Sequence, residues 1–168
     1  MYFVFSKPMQ EVNSALEYIT VIDETKNEEI SVFLELQTEL WNKDHTQLTL
    51  WLDPGRIKTD LIPNKNLGLP ITKGHGYRIN VSKEFEDAQG NMLIDNYSKT
   101  IFVGNRDSQL PNLINWMLKS PEANTLNELI IDFGESLDFA LATETVSIIN
   151  SDNKIVDGNF ILSNNESK

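Results

Sequence analysis

Short stretches in which apolar and polar residues alternate constrain this chain more than any other feature of its sequence. The apolar even positions between residues 30 and 40 are Ile30, Val32, Leu34, Leu36 and Leu40. A period of two is typical of a strand that buries one face. The same alternation resumes at residues 48–52 after a polar run at residues 42–45, so the sequence predicts a hairpin over residues 30–52.

The rest of the chain continues this pattern of short strands and turns. Further strands are predicted at residues 77–81, 100–104, 114–118, 129–133 and 145–149. Residues 56–76 show no sustained period and are predicted to be a long connection, and only residues 14–18 and 139–144 suggest helical turns. Short strands spaced about ten residues apart and separated by Gly and Pro turns are typical of an all-β sandwich.

Two octapeptides far apart in the sequence resemble one another. Residues 2–9 read YFVFSKPM and residues 130–137 read IIDFGESL, so Phe5 corresponds to Phe133 and Met9 to Leu137. The two octapeptides are 128 residues apart, a period that fits tandem domains rather than a solenoid. We therefore expect a first domain at residues 1–105 and a second at residues 106–168. The first is expected to lack its initial strand, and the second to stop after its opening strands.

These motifs resemble those of the bacterial Ig-like domain named after the S-layer protein SbsA. The family motif residues in this chain are Phe5, Pro8 and Met9 in the opening segment, Tyr77 in a strand, Asp87, Gly90 and Asn91 in a closing turn, and Phe133 and Leu137 in the second copy. The closing turn resembles the family's D-x-a-G-N turn through Asp87, Ala88, Gly90 and Asn91, and the segment around Tyr77 also matches through Leu69, Gly76, Ile79 and Val81. The resemblance covers nearly all of the first domain and the opening part of the second.

The resemblance implies an Ig-like β-sandwich from a cell-envelope, periplasmic or extracellular protein of bacteria. Such domains act as spacers, adhesive modules or accessory modules, and they bring no catalytic residues to this chain. The chain contains no recognisable signal peptide, so the expected location rests on the resemblance alone.

Composition and motifs argue against several other functions. The formal net charge of −11 opposes nucleic-acid binding, which needs a surplus of Lys and Arg. The absence of cysteine removes thiol chemistry and Cys-based zinc sites. The two histidines, His45 and His75, fall in predicted loops without the spacing of a metal or catalytic motif. We expect no enzyme activity and no cofactor, and no segment is apolar enough to span a membrane.

Two ligand sites remain open as alternatives. Trp41, Trp51 and Tyr77 would form an aromatic platform for a sugar if all three faced solvent together. Calcium would have oxygen ligands in two acidic turns, whose residues are Asp23, Glu24, Glu28 and Glu29 in one and Asp152, Asn153, Asp157 and Asn159 in the other. Solvated hairpin tips explain the acidic turns equally well.

A third local feature has a structural explanation. Asp53 and Arg56 flank Pro54-Gly55, which predicts a salt bridge or hydrogen bond across a turn.

The function expected from the sequence is that of a non-catalytic structural or interaction module with a protein or surface-glycan partner. The alternative is an accessory module that binds carbohydrate or calcium.

Overall fold

Antiparallel strands make up most of the regular structure of the chain. The computed structural model describes residues 1–163 and 166–168. It divides into two units, Met1–Arg106 and Asp107–Lys168. The expectation of a β-rich fold is confirmed.

The first unit contains two antiparallel sheets. The smaller sheet has the order β1-β5-β4 and is formed by β1 (Tyr2–Val4), β4 (Leu40–Trp41) and β5 (Gln47–Thr49). The larger sheet has the order β3-β2-β6-β7 and is formed by β2 (Ile19–Asp23), β3 (Glu28–Ile30), β6 (Gly76–Val81) and β7 (Tyr97–Phe102). In this arrangement β1 and β7 are edge strands of their sheets.

One hydrophobic core joins both sheets of the first unit. In β2 the side chains of Ile19 and Val21 are buried and their neighbours are partly exposed, as a strand with one buried face requires. Leu48 of β5 and Ile79 of β6 belong to the same buried cluster. Each fully buried aliphatic side chain of this kind contributes about 1.5–3 kcal/mol to folding.

The predicted hairpin over residues 30–52 is only partly correct. Its turn at residues 42–45 is present and connects β4 to β5, but residues 31–39 form no strand beyond the single bridge from Phe33 to Leu52. Val32 and Phe33 are both buried although they are adjacent. Two successive buried residues cannot lie on one face of a strand, so the alternation breaks at this point.

The connection predicted without regular structure at residues 56–76 contains helical turns. The helices α1 (Pro54–Ile57) and α2 (Ile62–Leu67) each carry a proline in the first turn. Asp53 caps α1, because its Oδ1 accepts a hydrogen bond from the Gly55 amide at 2.8 Å. Helices of four and six residues are too short to show helical periodicity in the sequence.

The second unit has one strand pair and one helix. The strands β8 (Met117–Lys119) and β9 (Ile130–Asp132) are antiparallel, and α3 (Phe139–Thr145) follows. Asp138 caps α3 by accepting from the Leu141 amide at 2.9 Å. The strand predicted at residues 145–149 is wrong, because Thr145 ends α3 and Ile149 forms only a bridge with Ile155.

Candidate functional site

The opening segment at residues 5–9 is bound on two sides within the first unit. On one side the amides of Phe5 and Met9 donate to the carbonyls of Thr46 and His45, both at 2.8 Å. On the other side the Ala88 amide donates to the carbonyl of Pro8 at 2.9 Å. The Met9 side chain is buried in the core. The segment therefore links the smaller sheet to the turn at residues 87–91.

The turn at residues 87–91 is organised by the side chain of Asp87. Its Oδ1 accepts hydrogen bonds from the amides of Gln89 and Asn91, each at 2.9 Å, and the Nδ2 of Asn91 donates at 3.1 Å. Gly90 has a φ of 79°, a backbone conformation that costs glycine little. The acid, the glycine and the asparagine at these spacings thus each have a structural function.

The carboxylate of Asp87 is held in its ionised form. Asp87 is 6% exposed, and the Nζ of Lys7 lies 3.9 Å from its Oδ2. The backbone and side-chain hydrogen bonds from Asn91 lower the pKa of Asp87 below its usual value, although burial opposes them. The charge of Asp87 is therefore used to hold its own turn.

An aromatic cluster lies beside the opening segment. Phe85 is completely buried and stacks on Tyr18 with ring centroids 4.9 Å apart. Its other ring neighbours are Phe5 at 5.7 Å and Trp41 at 6.3 Å, both edge-on. Trp41 also stacks on His45 at 5.8 Å, and its Nε1 donates to Glu39.

The three aromatic residues proposed as a sugar platform do not form one. Tyr77 is 1% exposed, and its hydroxyl accepts a hydrogen bond from the Thr72 amide inside the unit. Trp41 is only partly exposed because it belongs to the aromatic cluster. Trp51 faces solvent, with 52% of its surface exposed. A buried tyrosine cannot stack on a ligand at the surface, so the predicted set is wrong at Tyr77.

A buried carboxylate and a histidine meet at one end of the larger sheet. The Oδ2 of Asp23 lies 2.8 Å from the Nδ1 of His75, and Asp23 is 2% exposed. Burial raises the pKa of Asp23, but the hydrogen bonds from His75 and from the amides of Lys26 and Thr25 outweigh it and lower the pKa overall. The two residues are 52 positions apart in the chain, and no motif connects them.

The acidic turns proposed for calcium use their side chains in other ways. Asp23 is committed to His75, and the Oε1 of Glu24 accepts from the Nε of Arg78 at 2.9 Å. In the other turn Asn150 accepts from the amides of Asp152 and Lys154. Among residues 1–163 and 166–168, no three His, Asp or Glu side chains are grouped so that they could hold a metal ion.

The pair Asp53 and Arg56 forms the predicted hydrogen bond but not the salt bridge. The Arg56 amide donates to the Asp53 carbonyl at 3.1 Å. The guanidinium instead donates to four backbone carbonyls, those of Ser31, Leu67, Gly68 and Leu69. Arg56 thereby fastens the loop after α2 to the chain beside β3.

The second unit contains hydrogen bonds that match those of the opening segment. The amides of Phe133 and Leu137 donate to the carbonyls of Ser167 and Glu166, both at 3.0 Å. These donors correspond to Phe5 and Met9 in the sequence alignment of the two octapeptides. Phe133 is 1% exposed and packs edge-on against Trp116 at 4.8 Å.

The turns that supply the accepting carbonyls also match. In the first unit Asn42 donates to Gln47 at 2.9 Å and His45 donates to Asn42 at 3.0 Å, all through backbone groups. In the second unit Ser163 donates to Lys168 at 2.8 Å and Glu166 donates to Ser163 at 2.9 Å. His45 and Glu166 have positive φ values of 53° and 50°.

A cleft of about 710 Å³ opens in the first unit between the edge strands β1 and β7. Its walls include Phe3 from β1 and Ile101 from β7, and core residues Met9, Ile79 and Val81 are reached through it. Ile94, which is 96% exposed, lies at the cleft as well. No pattern in the sequence predicts this cleft, because the cleft depends on which strands lie at the edges of the two sheets.

No helix of the described residues is both long and apolar enough to cross a membrane. Comparison of the chain with protein-family models, with curated proteins and with solved structures finds no match.

Proposed function

We propose that this chain is a non-catalytic structural or interaction module of a bacterial envelope or secreted protein. In this proposal residues 1–105 form an Ig-like β-sandwich of the SbsA type and residues 106–168 the opening strands of a second one. The observation that carries the proposal is the contact between the two motifs of the first unit. The Ala88 amide donates to the Pro8 carbonyl at 2.9 Å, and Met9 pairs with Asp87.

The chemistry of these motif residues supports a structural function. Asp87 has its hydrogen bonds inside its own turn, Gly90 provides the backbone geometry, and Met9 fills the core. None of these functions requires a ligand. When the motif residues serve to stabilise the fold, the loops and sheet edges of a module can differ in sequence and bind a partner without loss of the fold.

The matched hydrogen bonds of the two units support a tandem arrangement. Phe5 and Met9 in one unit and Phe133 and Leu137 in the other donate to the two carbonyls of a similar turn. A tandem array of rigid units is suited to a spacer or a surface-exposed scaffold. The expected partner is another protein or a surface glycan.

In this proposal the contact between Asp23 and His75 stabilises the fold and is not a catalytic dyad. The imidazole stacks on buried Tyr77, with ring centroids 6.1 Å apart, and its Nδ1 faces Asp23. Among the residues that the structure describes, no hydroxyl is hydrogen-bonded to the His75 ring. The pair thus joins the β2 end of the larger sheet to the loop before β6.

Labelling of intact cells that make the protein tests the proposal. An antibody raised against the folded chain is expected to bind unbroken cells or the culture medium, and protease added outside is expected to remove the cell-bound signal. A signal that appears only after the cells are lysed would refute the envelope or secreted assignment.

A further inference from the structure

The larger sheet has an outer face that points away from the hydrophobic core. In β6 the odd residues from 77 to 81 are buried in the core. Successive side chains of a strand point to opposite faces, so Arg78 and Asn80 lie on the outer face. Thr100 and Ser98 of β7 lie opposite them in the ladder and share that face. The outer face therefore presents polar side chains in register across two strands.

An exposed aromatic ring lies at one end of the outer face. Phe102 is opposite Gly76 in the ladder of β6 and β7, and it is 82% exposed. A Cβ atom at Gly76 would lie 3.1 Å from Cε1 and 3.5 Å from Cδ1 of this ring, so the ring lies directly over the backbone of β6. Because one side of the ring contacts the sheet, the other side is open to solvent. An aromatic ring in this position can stack on the apolar face of a sugar.

Hydrogen-bonding side chains form a row further along the same face. The Ser98 hydroxyl donates to Oδ1 of Asn80 at 3.0 Å, and Nδ2 of Asn80 donates to the Thr20 hydroxyl at 3.3 Å. Thr100 lies on β7 between this row and Phe102. A hydroxyl both donates and accepts, and the amide of Asn80 has a second N–H. These groups can therefore exchange hydrogen bonds with the hydroxyls of a sugar.

The charges of the outer face indicate a neutral ligand. The Nε of Arg78 donates to the Oε1 of Glu24 at 2.9 Å, so these two charges compensate one another. Glu29 of β3 lies opposite Ile22 and adds a negative charge to the same face. Lys99 is an odd residue of β7, so its side chain points to the core side of the sheet. The chain as a whole has a net charge of −11, which repels polyanions.

We propose that the outer face of the larger sheet binds a neutral glycan chain. One sugar stacks on Phe102, and neighbouring sugars exchange hydrogen bonds with Thr100, Ser98 and Asn80. A protein partner would need an apolar core at its interface, whereas the neighbours of Phe102 on this face, Thr100 and Arg78, are polar. This inference deepens the proposed function, on which it rests, by giving the chemical class of the partner.

Isothermal titration calorimetry of the full chain with neutral oligosaccharides tests the proposal. The probes are cellohexaose, chitohexaose and mannohexaose, and hexagalacturonate is the anionic control. At least one neutral probe is expected to bind with a Kd below about 1 mM. Hexagalacturonate is expected to bind at least about tenfold more weakly than that probe, because the chain is strongly acidic.

Two alanine variants of β7 form a matched pair that locates the site. Phe102 and Tyr97 are both exposed aromatic residues, but Tyr97 is at an odd position and lies on the other face of the sheet. Phe102→Ala is expected to weaken binding of the neutral probe at least about tenfold, and Tyr97→Ala to leave the affinity unchanged. Thr100→Val removes a hydroxyl and keeps a β-branched side chain, so we expect about threefold weaker binding.

Three results would overturn the proposal. One is absence of binding by every neutral probe at millimolar concentration, and another is equal binding by the parent chain and Phe102→Ala. The third is a dimer in light scattering that Phe102→Ala converts to monomer, since a second copy would then cover the outer face. Each of these results leaves the cell-labelling experiment unaffected, so failure of the glycan site and failure of the proposed function are distinguishable.

Discussion

Replacing Phe85 by alanine gives the sharpest test of how the first unit is held together. Phe85 has no exposed surface and contacts three aromatic rings, of which Tyr18 is stacked and Phe5 and Trp41 are edge-on. Truncation of a buried phenylalanine costs about 3–5 kcal/mol. That range already includes the loss of ring contacts, which are worth about 0.5–1.5 kcal/mol per aromatic pair. Because Phe85 has three ring partners, we expect a loss in the upper half of the range, about 4–5 kcal/mol.

Urea unfolding followed by circular dichroism measures this loss. Phe102→Ala is the matched control, because Phe102 is 82% exposed and its ring lies over Gly76 at the surface. The control is expected to lose less than about 1 kcal/mol. Phe85→Leu, which keeps part of the buried volume, is expected to fall between the two variants. If Phe85→Ala costs no more than Phe102→Ala, the aromatic cluster does not hold the sheets together and the reasoning fails.

Four further predictions follow from single contacts. The pKa of Asp87 is lowered in the folded chain, so its contribution to stability is complete above about pH 5 and is lost as the pH falls below the usual value of 3.8 and through the folded pKa. The thermal midpoint of Asp87→Asn should therefore depend less on pH across that range than the midpoint of the parent chain. Gly90→Ala should destabilise the first unit by about 1 kcal/mol in urea because of its positive φ, whereas an alanine at Gly104, with open space around it, should cost little. Arg56→Lys should speed tryptic cleavage at Lys58 almost as much as Arg56→Ala does, because an ammonium cannot replace a guanidinium that donates to four carbonyls. Slow cleavage of the lysine variant would show that the positive charge alone suffices. Trp116→Phe should leave the urea stability of the second unit unchanged or raise it, since the buried Nε1 has no hydrogen-bond partner among residues 1–163 and 166–168. A clear loss would show that this donor has one.

Strands with regular alternation were predictable from the sequence. β6 (Gly76–Val81) follows the predicted strand at residues 77–81 closely, because buried and partly exposed residues alternate from Tyr77 to Val81. The 3-10 turn at Ala15–Glu17 and the helix α3 lie where helical turns were expected. Local patterns of this kind depend only on neighbouring residues.

Elements that depend on distant partners were not predictable. Val32 and Phe33 break the alternation of a strand because both side chains pack in the core. The helices α1 and α2 depend on their prolines and on the hydrogen bonds of Arg56. The pairing of Asp23 with His75 joins the end of β2 to the loop before β6, which no local pattern reveals. The sequence left open whether Tyr77 faces solvent as part of an aromatic platform, and the larger sheet places it in the core.

The candidate site likewise combines a feature that local sequence predicts with features that depend on distant residues. The residue types of the turn at 87–91 indicated a tight turn, and their hydrogen bonds agree with that prediction. The contact of this turn with the opening segment needs the fold, since nearly eighty residues separate Pro8 from Ala88. The cleft also depends on the fold, because the cleft exists only where two sheet edges face one another.

Amide hydrogen exchange at four positions tests whether the two units are built in the same way. Both units anchor an opening segment by the same pair of backbone hydrogen bonds, donated by Phe5 and Met9 in one unit and by Phe133 and Leu137 in the other. All four amides are therefore expected to exchange far more slowly than in an unstructured peptide, as measured by NMR in deuterated buffer. Exchange of Phe133 and Leu137 at the rate of a free peptide, with Phe5 and Met9 protected, would contradict the tandem framework.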